Sequence, residues 1–227
     1  MLTARPAILL FSRRPAAEAT HRQWAGGAAP RSNEAIARAM LREARRNAGR
    51  SGWPVFHVHE GQQVGATFGA RLAHAFADLF AKGFTAVVAV GNDAPGIRRV
   101  DWTAVGQALA TGRSVTGRTT QGGAYLIGLT AGQFARPGFD RLPWETPELG
   151  GALSAWLDQA LELPRLPELH TRTQLLRWTH RQGPANRLAR RLQSLLHSRM
   201  APGPFLPDLL PAVYTNPSLQ QRGPPSL

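Results

Sequence analysis

The chain has 227 residues, 43% of them hydrophobic and 18% charged, enough apolar side chain for a sizeable core and too much for a chain disordered throughout. It has no cysteine, which excludes disulfide scaffolds, thiolate zinc sites and cysteine nucleophiles. The net charge is +13, and Lys82 is the single lysine among 27 basic residues, so arginine carries nearly all of a charge that would attract any polyanion and selects none.

Pro6 precedes an apolar run, Ala7 to Phe11, which reads as a buried strand. A loop rich in Ala, Gly and Arg is expected from Ser12 to Pro30, then a helix capped by Ser32 or Asn33 and running to about Asn47 before Gly49. Val55 to His59 reads as a second strand. Thr67 to Lys82 reads as a helix with Phe68, Leu72, Phe76 and Leu79 in one stripe and Gly83 as its stop. Thr85 to Val90 is a buried strand by its β-branched, apolar content. Asp101 to Thr111 is a helix, Ser114 to Arg118 and Ala124 to Leu129 are strands, and Pro147 to Leu161 is a helix with Thr146 as N-cap. Strands alternating with helices predict an α/β fold of three layers, a mostly parallel Rossmann-like sheet covered on both faces. Beyond Leu163 the pattern becomes helical, at Thr171 to Thr179 and Pro184 to Ser198. Seven prolines in the 28 residues from Met200 predict little regular structure there. The expected organisation is a core domain over 1–179 followed by a basic amphipathic helix and proline-rich tail over 180–227. No run approaches the roughly 18 apolar residues of a membrane span, and Ala7 to Phe11 is too short for a secretory core, so a cytoplasmic protein is expected.

Three segments carry candidate chemistry. In Val87 to Gly96 a buried strand ends at Gly91 and Asp93 follows in a tight turn. Ligands of open α/β sheets bind beyond the carboxyl ends of strands, and a carboxylate there suits a phosphate-bound divalent cation. The same residues also suit a plain Asx turn with Pro95 fixing it. In Arg118 to Leu129 a polar loop meets Gly122 and Gly123 and enters an apolar strand through Tyr125, which fits either close approach of a ligand or an ordinary turn. In Leu142 to Pro147 a loop leads into a helix, with Trp144 placed either to stack on a substrate or to anchor the packing. His57 and His59 sit at i and i+2 without a third ligand nearby and read as hydrogen-bonded strand histidines. The terminal helix, with Leu188, Leu192, Leu195 and Leu196 opposite Arg187, Arg190 and Arg191, reads first as a helix docked by its leucine face. Contact with a partner protein, or with nucleic acid or a membrane surface, is the less favoured reading, since no aromatic interleaving accompanies the charge.

In this order the segments resemble a bacterial family of nucleotide-diphospho-sugar transferase-like proteins of glycosyltransferase-A-type fold. That family shows G-[ST]-D-x-P-G after a strand, D-G-G-Y-Y-L-[LI]-G-L, and a W-[SG]-T loop before a helix. The counterparts are Gly91 to Gly96, Gln121 to Leu129, and Trp144 to Thr146, and Gln63 to Leu72, with Gly69 and Arg71, resembles its Q-x-G-x-x-x-G-x-R-[LM] stretch. The resemblance spans roughly residues 6–176. It implies a nucleotide or nucleotide-sugar partner, an unidentified acceptor, and Mg²⁺ or Mn²⁺ bridging carboxylates and diphosphate, with Asp93 at the metal. Arg14, Arg22, Arg71 and Gly91 fall on its phosphate side, and Gln121, Gly122, Gly123, Tyr125 and Trp144 on its substrate side. The chain departs from the pattern in three places. The loop Ser12 to Gln23 lacks the family's glycine. Gln121 replaces the aspartate before the Gly pair. Glu168 to Leu175 replaces D-[IV]-D-T-P-E-D-L, leaving Glu168 and His170 as the potential ligands. The expected activity is therefore metal-assisted sugar transfer from a nucleoside-diphosphate donor. The alternatives are a non-catalytic descendant acting as a binding or scaffold protein, and a nucleotidyltransferase of related fold.

Overall fold

The computed structural model describes residues 5–197; the proline-rich stretch from Met200 lies outside them. Six strands form one sheet in the order β2-β1-β3-β5-β4-β6. They are β1 (Pro6–Phe11), β2 (Val55–Val58), β3 (Ala86–Val90), β4 (Val115–Thr119), β5 (Ala124–Thr130) and β6 (Leu161–Leu166). β1 pairs in parallel with β2 and β3, and β4 with β6. β5 alone runs against its neighbours β3 and β4, because the loop joining it to β4 is a short reversal. The expected mostly parallel, Rossmann-like α/β sheet is what the chain adopts.

Strand alternation divides the core into two layers. Ile8, Leu10, Val88, Val90 and Leu126 face α2 (Pro30–Gly49) and α4 (Trp102–Ala110), where Leu41, Ala44, Val105 and Leu109 are buried. Ala7, Leu9, Val87, Ala89 and Leu129 face the other way, onto Leu72, Phe76 and Leu79 of α3 (Phe68–Ala81) and Leu149, Leu153 and Leu157 of α6 (Leu149–Leu157). A third cluster joins Ile36 and Met40 of α2 to Leu175 and Trp178 of α7 (Arg172–His180) and Leu188, Leu192 and Leu196 of α8 (Arg187–His197). The leucine face of α8 thus lies on α2, and its arginines face outward.

Several boundaries differ from the sequence expectation. The expected loop Ser12 to Pro30 contains a helix, α1 (Pro15–His21), with Pro15 in its first turn, where its missing N–H costs nothing. α2 starts at Pro30, before Ser32 and Asn33, and the Asn33 side chain instead braces the preceding turn by accepting from Ala25 N and donating to Gly26 O. The helix expected over Pro147 to Leu161 is shorter. Thr146 Oγ1 donates to Pro143 O, and Asp158 and Gln159 take positive φ (46° and 48°), which ends α6 and turns the chain into β6. β6 itself carries Pro164, tolerated because β6 is an edge strand. A four-residue helix, α5 (Ala131–Phe134), follows β5 directly.

Candidate functional site

A cleft of about 680 Å³ opens at the carboxyl ends of β1 and β3. Its floor is built by the turn after β3. Gly91 N bonds Tyr125 O on β5, and Asp93 O accepts from Leu169 N at 2.9 Å. That second bond brings the chain leaving β6 across the turn, and it seats His170 Nε2 2.7 Å from Asp93 Oδ2 although the two lie 77 residues apart. Glu168 Oε2 stands 4.0 Å from the same imidazole nitrogen. Ligand atoms of Asp93, Glu168 and His170 all lie within 4.8 Å of one another.

The Glu168 carboxylate is held from behind. Gln121 donates from Nε2 to Glu168 O and accepts from Glu168 N through Oε1, pinning the backbone. A Cβ on Gly123 would come 2.6 Å from Glu168 Oε1, so the carboxylate occupies the space that glycine leaves. Gly122 serves a different need: its φ is +94°, and a Cβ there would overlap the Pro147 carbonyl. The close approach that the Gly pair permits is therefore that of the protein's own Glu168 and Pro147. Thr119 hydrogen-bonds the Glu168 side chain from β4.

The electrostatics follow from this packing. Burial alone would raise the Asp93 pKa, but the hydrogen bond and charge of His170, with the charge of Arg22, hold the carboxyl below its usual range. Glu168 is pushed up, first by burial and then by the negative charge of Asp93, against smaller opposing effects of His170, Thr119 and Arg22. Two carboxylates, one of which raises the other's cost of ionisation, gathered around one imidazole form a donor set suited to one divalent cation. The mixed oxygen and nitrogen donors fit Mn²⁺ better than Mg²⁺.

The remaining predicted residues divide by what they touch. Arg22, at the end of α1, lines the cleft and donates to Glu18 Oε1 at 3.3 Å. Arg71 lines it from α3 with no carboxylate partner among the described residues. Arg14 is engaged by Glu60, which accepts from both its Nε and its backbone N at 2.7 Å. Tyr125 is buried, and its hydroxyl donates to Pro164 O, so the ring braces β4 and β6 beneath the cleft. Trp144 lines the cleft while donating from Nε1 to Phe139 O and leaning on Phe68 at 5.5 Å.

Sequence reasoning missed Glu18, buried between Arg13 and Arg22, and Trp24, whose Nε1 donates 2.7 Å to Leu169 O. Pro15 followed by Glu18 was the available signal of a helix start; nothing in the sequence marks Trp24.

Residues 29–146 match the family described as "Uncharacterized protein conserved in bacteria (DUF2064)". No curated protein matches the chain. Among solved structures, a "putative nucleotide-diphospho-sugar transferase" from Desulfovibrio desulfuricans G20 is similar. The TM-score is 0.64 at 20% identity, over 84% of this chain and 96% of that one, a likeness of fold. No helix among the described residues is long and apolar enough to cross a membrane.

Proposed function

The chain belongs to that family of bacterial proteins, and on this footing we propose that it binds a nucleotide sugar and a divalent cation in the cleft and transfers the sugar to an acceptor hydroxyl. The observation that carries the reading is the convergence of Asp93, Glu168 and His170 at the carboxyl ends of the strands, on one wall of a cleft large enough for a nucleotide. These three residues would hold Mn²⁺ or Mg²⁺, which supplies charge neutralisation for a departing diphosphate. Arg71 and Arg22 add positive charge on the side facing Phe68 and α1, where phosphates would be met. Trp144, fixed at its Nε1, offers an immobile ring edge to the sugar side. In the transfer, the bond from the sugar to the diphosphate breaks with its electron pair leaving on phosphate. A new bond forms to the acceptor oxygen, which loses its proton.

A second reading, a binding protein without catalysis, is favoured by one observation. The Asp93–His170 hydrogen bond already satisfies part of the donor set internally.

The test is thermal stability against a panel of nucleotides and nucleotide sugars with and without Mn²⁺. A ligand at about 100 times its dissociation constant adds roughly 2.7 kcal/mol, a rise of about 5–10 °C for a chain of this size. The expected result is a Mn²⁺-dependent rise with one nucleotide sugar that Asp93→Asn abolishes. A folded protein indifferent to the whole panel would overturn the proposal. Binding without sugar release in the presence of candidate acceptors would favour the second reading.

A further inference from the structure

A second cavity, about 290 Å³, adjoins the cleft, and Gln121 and Glu168 line both. The 3-10 turn Pro95–Arg99 contributes Arg98 and Arg99 to its wall. The end of α7 contributes Arg177 and the capping residue Arg181, four residues apart with Arg181 still in helical conformation and therefore on one face, with Trp178 between them. All four arginines are exposed, and none has a carboxylate within ion-pair distance among the described residues. Elsewhere around the cleft Arg13 and Arg22 share Glu18 and Arg14 holds Glu60, while Arg71 alone stands singly without a carboxylate partner among the described residues. Four guanidinium-bearing side chains line this one small cavity, and the single carboxylate in the lining, Glu168, is turned to His170. A dianion is the ligand whose charge complements such a lining. Guanidinium forks match phosphate oxygens in number and plane. The volume lies at the small end of small-molecule sites, so the cavity takes a group of a metabolite rather than a polymer surface. The buried Trp178, with Leu166, supplies an apolar wall for the rest of such a molecule.

We propose that this cavity binds the phosphate group of a small molecule. The further assignment of that molecule as the acceptor of sugar transfer rests on the proposed function, since Glu168 and Gln121 are the wall between it and the cleft.

The experiment is calorimetric titration of the full chain with glycerol 2-phosphate, and with acetate, in EDTA so that no cation contributes. Glycerol 2-phosphate is expected to bind at one site and acetate much more weakly. The double variant Arg177→Gln/Arg181→Gln should weaken glycerol 2-phosphate by about tenfold or more. Because both side chains are exposed, its melting temperature should stay at the wild-type value. Absence of glycerol 2-phosphate binding by the folded wild type, or wild-type affinity in the double variant, would refute the cavity's role. Equal affinity for acetate would refute phosphate selection. A parallel titration with nucleoside diphosphates and Mn²⁺ separates the two claims. If glycerol 2-phosphate follows the arginines while no nucleoside diphosphate binds, the phosphate site stands and the acceptor role falls with the proposed function.

Discussion

Trp24→Phe tests whether a hydrogen bond remote from the cleft places His170. Trp24 is 1% exposed, and its Nε1 donates to Leu169 O, while Leu169 N donates to Asp93 O. Leu169 is itself fully buried, so no solvent replaces the lost donor. Leaving a buried carbonyl unsatisfied costs about 1–3 kcal/mol. Replacing indole by the smaller phenyl ring leaves a void worth roughly another 1 kcal/mol. The expected loss is about 2–4 kcal/mol, a fall in melting temperature of roughly 5–15 °C. Trp178→Phe is the control. Trp178 sits in the same cluster, but its indole N–H has no partner among the described residues, so only the volume change applies, about 1 kcal/mol. The assay is a thermal melt of both variants, with Mn²⁺ affinity measured by calorimetry. Affinity should fall in Trp24→Phe and hold in Trp178→Phe. Equal melting temperatures for the two variants would refute the claim that this bond holds the segment in place.

Three further outcomes are expected. His57 accepts from Arg45 Nη2 through Nδ1, which leaves Nε2–H facing Ser12 Oγ, and burial first, then Arg45 and His59, push its pKa down to about 4. The unfolded chain therefore binds the extra proton between about pH 6.5 and 4. Stability from this group is full above pH 6.5 and is lost as pH falls through that window, by at most roughly 3 kcal/mol. His57→Gln should flatten that part of a pH–melting profile, and an unchanged slope would count against the assignment. Gly123→Ala should displace Glu168 and weaken Mn²⁺ binding about tenfold or more with a modest stability loss. Gly122→Ala, strained in φ and overlapping the Pro147 carbonyl, should instead cost stability first; the reverse order in paired melts and titrations would contradict the roles given to the two glycines. Asp101 Oδ1 caps α4 by accepting from Thr103 N and Ala104 N, and Asp101→Ala should cost about 1 kcal/mol in denaturant unfolding, with Asp101→Asn close to neutral.

What was legible in the sequence was local. The stripe Leu72, Phe76 and Leu79 gave α3, Asp101 marked the start of α4, and the apolar run Val87 to Val90 gave a buried strand. β6 was hidden because a proline inside a six-residue strand is tolerated only at a sheet edge, and edge position is a property of the whole sheet. The turn at Gly91 to Gly96 stood out for its chemistry, but the meeting of Asp93 with His170 depends on the Leu169 bond, which no spacing encodes. Gln121 reads as a substrate contact from its place beside the Gly pair. In the fold both ends of its amide hold the Glu168 backbone, a role that needs the partner segment to be seen.

The two margins of the sheet bear on how the protein behaves at high concentration. An unpaired strand edge is a template on which a second chain can add, and long flat edges invite polymerisation. Here one margin is β2, only four residues long, with the Lys82 ammonium lying over the Phe56 ring. The other is β6, where Pro164 removes a donor from the row and Glu162 and Arg165 place charge along it. Neither margin offers an uninterrupted ladder to an incoming strand, so growth of the sheet from one molecule to the next is blocked at both ends by the residues that terminate it.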